Sequence, residues 1–250
     1  MRRFVSLIAA TAALAAALPA SAATIMFNSG GTGNTAGRTF TEGSVSVRIT
    51  GWSLYNGVAS ASSLGQWDYG LGVSNGSRDE HTIDNNGSKI DFVLLSFNTA
   101  VTLKTATFTT GWFGFNDTDA SISYANLNYA ATGTAYNGSG AAILNAAGAQ
   151  LTSNLYSSAS VGRSGNSTRN VNPTLVTSNV WLIAAKIGDV DTYRDSFKLK
   201  GLTYDLPPVP PPPGGGGPVP EPSTWAMLIL GMGMIGGAMR RRTRAKLALA

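Results

Sequence analysis

Ile90-Asp91-Phe92-Val93-Leu94-Leu95-Ser96-Phe97 is the stretch that decides the fold. Apolar side chains stand at consecutive positions, so the segment has no polar face to turn to water. A short continuous apolar run of this kind reads as a central strand of a sandwich. Further on, Val101, Leu103, Thr105 and Thr107 alternate, which is the period of a half-buried strand. Upstream, Val45, Val47 and Ile49 alternate with Ser46, Arg48 and Thr50. Downstream, Ser121 to Tyr129, Val180 to Ile187 and Ser196 to Tyr204 supply further strands. Asn56-Gly57, Asn75-Gly76, Asn86-Gly87 and Asn137-Gly138 punctuate them as turns. Pro173 is the one proline between Thr24 and Leu206, so ladders can run unbroken.

These features predict an all-β domain over 23–206, an antiparallel β-sandwich of jelly-roll type. The Ala- and Gly-rich stretch from Ala130 to Leu155 is the exception. It reads as a short helix over Ala141 to Ala149 or as an irregular loop. The first strand, Ile25 to Phe27, is expected beside the last, covering an edge.

Composition narrows the function. The formal net charge is +5, from 18 Lys+Arg against 13 Asp+Glu. Seven of the basic residues sit at the two ends: Arg2, Arg3, Arg240, Arg241, Arg242, Arg244 and Lys246. The middle, from Thr24 to Gly217, holds 11 basic and 12 acidic residues. It has no basic patch in sequence for nucleic acid. With no cysteine, there is no disulfide framework, zinc–thiolate site, iron–sulfur cluster or Cys nucleophile. A single histidine, His81, excludes two-His metal sites.

The ends read as addresses. Met1-Arg2-Arg3 precedes an apolar run from Phe4 to Leu18 and then Pro19-Ala20-Ser21-Ala22-Ala23. A positive start, an apolar helix and small residues at Ala20 and Ala22 predict a secretory signal over 1–22, cleaved after Ala22 by signal peptidase. At the other end, nine of the eleven prolines lie between Leu206 and Pro222, around Gly214 to Gly217. Residues 207–219 are thus a stiff linker with a Gly joint. After it come Pro220-Glu221-Pro222, Trp225-Ala226 and an apolar run to Met239. That run has roughly 15 residues, against the ~20 that span a bilayer unaided. Arg240, Arg241, Arg242 and Arg244 then mark a cytoplasmic stop. The segment 220–250 is expected to anchor transiently in the inner membrane through a short transmembrane helix.

Pro220-Glu221-Pro222, two residues, Trp225-Ala226-Met227-Leu228, a Gly-rich apolar segment and an arginine cluster resemble the PEP-CTERM sorting signal in its PEPxxWA form. Lys246 to Ala250 extend past the usual abrupt end of that signal. The resemblance implies processing by exosortase near Pro220-Glu221-Pro222 in a bacterium that makes exopolysaccharide. A second resemblance is carried by Leu71-Gly72-Val73, Glu80-His81-Thr82-Ile83-Asp84-Asn85-Asn86-Gly87 and Asp91 to Phe97. Gly111-Trp112, Asp117-Thr118-Asp119 and Asp195-Ser196-Phe197-Lys198-Leu199 also fit it. These resemble the exosortase-dependent surface protein family, which implies an exported surface or matrix protein without defined chemistry.

Within the domain, Asp79, Glu80, Asp84, Asp117 and Asp119 are candidate Ca²⁺ ligands from two loops. Calcium takes six to eight oxygens, and Asp and Asn on sandwich loops supply them. The same residues also favour turns through side-chain to backbone bonds. Trp52, Trp67 and Trp112 could stack on sugar rings or fill the core. His81 beside Asp79 and Glu80 is the candidate general base, but no Gly-x-Ser-x-Gly elbow accompanies it. No residue is assigned a catalytic role. The chain is thus expected to be a non-enzymatic surface or matrix protein tied to exopolysaccharide and biofilm. A Ca²⁺-dependent carbohydrate-binding module is the alternative, and a hydrolase the remote third.

Overall fold

The apolar run at Ile90 forms the first half of the longest strand. The computed structural model describes residues 22–28, 33–76, 81–110, 117–129, 136, 138–159, 166–188, 194–206 and 227–232. The strands are β1 (Ala22–Met26), β2 (Gly33–Thr35), β3 (Arg38–Glu42), β4 (Val45–Tyr55), β5 (Val58–Trp67), β6 (Gly70–Ser74), β7 (Ile83–Asp84), β8 (Ile90–Thr109), β9 (Ala120–Ala125), β10 (Tyr156–Ser158), β11 (Ser167–Asn170), β12 (Ser178–Ala185) and β13 (Ser196–Asp205). Helix α1 (Gly140–Ser153) lies between β9 and β10. The protein is all-β in class, and every strand ladder is antiparallel.

Strand β8 serves two sets of neighbours. Its first half pairs with β4 on one side, from Val47↔Phe97 to Leu54↔Ile90, and with β12 on the other, from Val180↔Ser96 to Ala184↔Phe92. Its second half pairs with β13, from Lys198↔Thr109 to Asp205↔Thr102, and with β11. Asn98 and Thr99 are exposed between the halves. The Asn98 side chain accepts from the Ser46 N–H at 2.9 Å and donates to the Ser44 carbonyl at 3.0 Å. The tip of β3–β4 is thereby tied to this corner.

The ladder continues from β4 to β5 to β6, and β6 meets β13 through Leu71↔Leu199. Strands β4, β5, β6, β13 and β8 therefore form a closed circuit of pairings. The β4–β5 hairpin turns at Asn56 and Gly57, both at positive φ (48° and 77°), the two-residue turn that matches strand twist.

Two apolar clusters explain the sequence pattern. Val93, Leu95 and Phe97 of β8 face inward with Val101, Leu103, Phe108, Trp181, Ile183, Phe197, Leu199 and Tyr204. The rings of Phe97 and Tyr204 meet edge-on at 5.8 Å, and those of Phe108 and Phe197 at 4.8 Å. Phe92 and Leu94 point the other way, into a cluster with Trp52, Val180, Leu182 and α1. That outer cover is why the strand is apolar at consecutive positions. β12 is likewise buried along its whole length.

Helix α1 starts where Ser139 accepts a cap bond from Ala142 N–H at 3.2 Å. It buries Ile143, Ala147 and Leu151, spaced by four, on one face. Gln150 latches it to the main chain of Asn126 by two bonds, at 2.9 and 3.2 Å. As expected for the first strand, β1 pairs along β13, and Ile25 and Phe27 lie in the core.

Pro19–Pro208 separate as one compact unit. Outside it, 227–232 are helical, with Met227, Leu228, Ile229, Leu230 and Met232 exposed. No helix among the described residues is long and apolar enough to cross a membrane.

Candidate functional site: a carboxylate cluster at the strand ends

Register brings the acidic residues together. Ala120 of β9 pairs with Ala185 of β12, so Asp119 and Lys186 extend side by side. Lys186 Nζ lies 3.4 Å from Asp119 Oδ2. Ser196 of β13 pairs with Asp84 of β7, which sets Asn85 opposite Asp195. Asn85 Nδ2 donates to Asp195 Oδ2 at 2.6 Å, and the Asp195 N–H donates to Asn85 Oδ1 at 3.1 Å. Asp117 and Asp195 form a parallel bridge, with Ser196 N–H donating to the Asp117 carbonyl at 2.9 Å. Arg194 Nη1 donates to Asn86 Oδ1 at 2.6 Å.

The result is a buried triad. Carboxylate oxygens of Asp117, Asp119 and Asp195 all lie within 4.8 Å of one another, and the residues are 3%, 4% and 1% exposed. Three such charges need compensation. Arg169 on β11 supplies part of it: Nη1 stands 4.0 Å from Asp119 Oδ1, and Nη2 donates to the Thr118 carbonyl. The guanidinium also lies over the Phe108 ring, 4.6 Å from its centroid. Burial pulls the Arg169 pKa down, while Asp119, Asp117 and Asp195 each push it up. The guanidinium thus feels all three carboxylates. Among the described residues, Lys186 is a second cation at the cluster.

The sequence-predicted ligands divide. Asp117 and Asp119 belong to this cluster. Asp84 does not: its carboxylate accepts from Thr82 Oγ1 at 2.7 Å and from the Asn86 N–H at 3.1 Å. It shapes the turn into the short 3-10 segment Asn86–Ser88, as turn chemistry allows. Asp79 and Glu80 lie outside the described residues. Asp195, Arg169 and Lys186 were missed. They are single charged residues scattered along the chain, and only strand register joins them. The cluster could act as a charge lock between the ends of β9, β12, β11 and β13. As a cation site its donor set offers three converging carboxylates, and a divalent ion would share Asp119 with Lys186 and Arg169.

The aromatic candidates are placed as follows. Trp52 is 5% exposed, stacks on Phe92 at 6.3 Å and donates its Nε1–H to Thr50 Oγ1 at 2.8 Å. Trp67 is half-buried, with Lys198 Nζ 4.0 Å from its ring centroid and the His81 ring at 4.7 Å. Lys198 also donates to the His81 carbonyl, and burial pulls its pKa down to about 8. A side chain at Gly72 would collide with that same carbonyl, so this corner needs a glycine. His81 itself is exposed, with Trp67 as its ring neighbour. Trp112 lies outside the described residues.

A second polar centre sits at the start of β8. Asp91 is 1% exposed and accepts from Ser53 Oγ at 2.5 Å and from Asn75 Nδ2 at 2.7 and 2.9 Å. Burial pushes its pKa up to about 7, against the lowering effect of Ser53 and Asn75.

The sorting residues Pro220, Glu221, Pro222, Trp225, Ala226 and the cluster Arg240, Arg241, Arg242, Arg244 lie outside the described residues, as does Ala20. Ala22 opens β1. The family model for the PEP-CTERM protein-sorting motif matches residues 218–242. No curated protein and no solved structure matches the chain. The motif marks an exosortase substrate, an exported protein sorted to the cell surface.

Proposed function

We propose that this exosortase substrate is a non-enzymatic surface or matrix protein that associates with exopolysaccharide in biofilm. The observation that carries the reading is the sorting motif at 218–242. In the same reading, residues 1–22 are a signal removed at Ala22, and the apolar run before Arg240 anchors the precursor in the inner membrane until exosortase acts. The domain is an antiparallel β-sandwich of jelly-roll type whose two layers share β8. The meeting of Phe97 and Tyr204, from opposite halves of the pairing scheme, supports that layering. A non-enzymatic role is supported by how the polar groups are used. The Asp117, Asp119 and Asp195 carboxylates lie against Arg169 and Lys186, and Asp91 is taken up by Ser53 and Asn75.

A Ca²⁺-dependent carbohydrate-binding module is the second reading. The convergence of Asp117, Asp119 and Asp195 within 4.8 Å favours it. A glycan array on the purified domain, run with Ca²⁺ and with EDTA, separates the two. The surface-protein reading predicts no glycan signal that depends on calcium. A specific glycan bound with Ca²⁺ and released by EDTA would transfer the assignment to the binding module.

A further inference from the structure

We infer that docking of β1 on β13 closes the Ala22–Ala23 bond to signal peptidase, so that efficient export processing has to act on the chain before the domain closes. The inference rests on the reading of residues 1–22 as a cleaved signal. The bond in question joins the first two residues of a ladder. Ala22 pairs with Asp205 and Ala23 with Tyr204, and the register continues to Met26↔Gly201. Ala23 packs against the core, and just past the end of β1 the chain is held deeper still. Phe27 is fully buried, donates its N–H to the Lys200 carbonyl at 2.8 Å and packs edge-on against Phe40 at 4.7 Å. A peptidase that reads small residues on an extended segment needs that segment unpaired and accessible.

Chain order supplies the window. β13 is the last strand of the domain, and Asp205 stands next to the linker at 207–219. Until Asp205 has crossed the membrane, β1 has no partner, and the Ala22–Ala23 bond stays open. Water then adds across that bond. Ala22 leaves with the signal as a carboxylate, and Ala23 becomes the α-amino terminus. After docking, the new terminus lies beside Tyr204, at the C-terminal end of β13. The carboxylate cluster lies at the opposite end of that strand, beside Ser196.

The test uses the full precursor and signal peptidase in mild detergent. One sample is mixed with the enzyme as it is diluted from urea, and a second is refolded first. The refolded precursor is expected to be cut at least about tenfold more slowly, because cleavage then waits for local opening. A flexible Gly-Ser spacer of about six residues placed after Ala22 moves the bond off the ladder and should restore fast cleavage of the refolded form. Equal rates for refolded and unfolded precursor would overturn the inference alone. A spacer variant that stays slow when refolded, yet is cut when unfolded, would also overturn it. An unfolded chain left intact at Ala22 would defeat the signal reading and the inference with it.

Discussion

Arg169→Met is expected to destabilise the domain by about 3–5 kcal/mol, the cost of leaving a buried charge network without its central partner. The substitution keeps an unbranched chain over Phe108 but removes the guanidinium that all three carboxylates act on. Asp119 would keep Lys186 at 3.4 Å, and Asp195 its bond from Asn85, but the charge that acts on all three would be gone. For a domain of total stability about 5–15 kcal/mol, that is a large fraction. Urea denaturation of the purified domain measures it. Adding Asp119→Asn in the same chain should recover part of the loss, because one anion is removed with the cation. A non-additive double-mutant cycle is therefore predicted. A loss below about 1 kcal/mol, the range of surface pairs, would mean that the cluster is not the charge lock described.

The second large effect concerns Asp91 and pH. Its folded pKa of about 7 lies above the ordinary 3.8, so between these values the folded state holds a proton that the unfolded chain has released. That contribution is full below about pH 4 and is lost as pH rises through about 7. At three pH units, the loss is at most about 4 kcal/mol. Asp91→Asn retains polar groups for Ser53 and Asn75 and cannot ionise. The variant and the parent should therefore be similarly stable near pH 4, and the variant increasingly favoured up to pH 8. Stability curves that run parallel across this range would show that Asp91 ionises in the folded protein as it does in the unfolded chain.

How much of this could be read from the chain differs by level. The continuous apolar run at Phe92–Leu95 was legible as a central strand, but its second cover was not: the core lies on one side and α1 with Trp52 on the other. The pairing of the first strand with the last was also legible, since the last strand ends where the linker begins and an edge there needs a cover. The corner in β8 was not. Asn98 and Thr99 resemble any polar interruption, and only the partners on each side reveal a single strand serving two neighbours. The charge cluster shows the same limit. Asp117 and Asp119 stood out by adjacency, whereas Asp195 and Arg169 reach them through register. Sequence spacing carries no information about which strand ends meet. Asp84 looked like a partner of Asp117 by composition and serves its own turn instead.

The measurement that bears most directly on the central claim is the intact mass of the protein recovered from cells with and without an exosortase. With the enzyme, the chain is predicted to start at Ala23 and to lack the apolar segment and Arg240, Arg241, Arg242 and Arg244. Without it, the tail should remain. A tail retained in both strains would contradict the account.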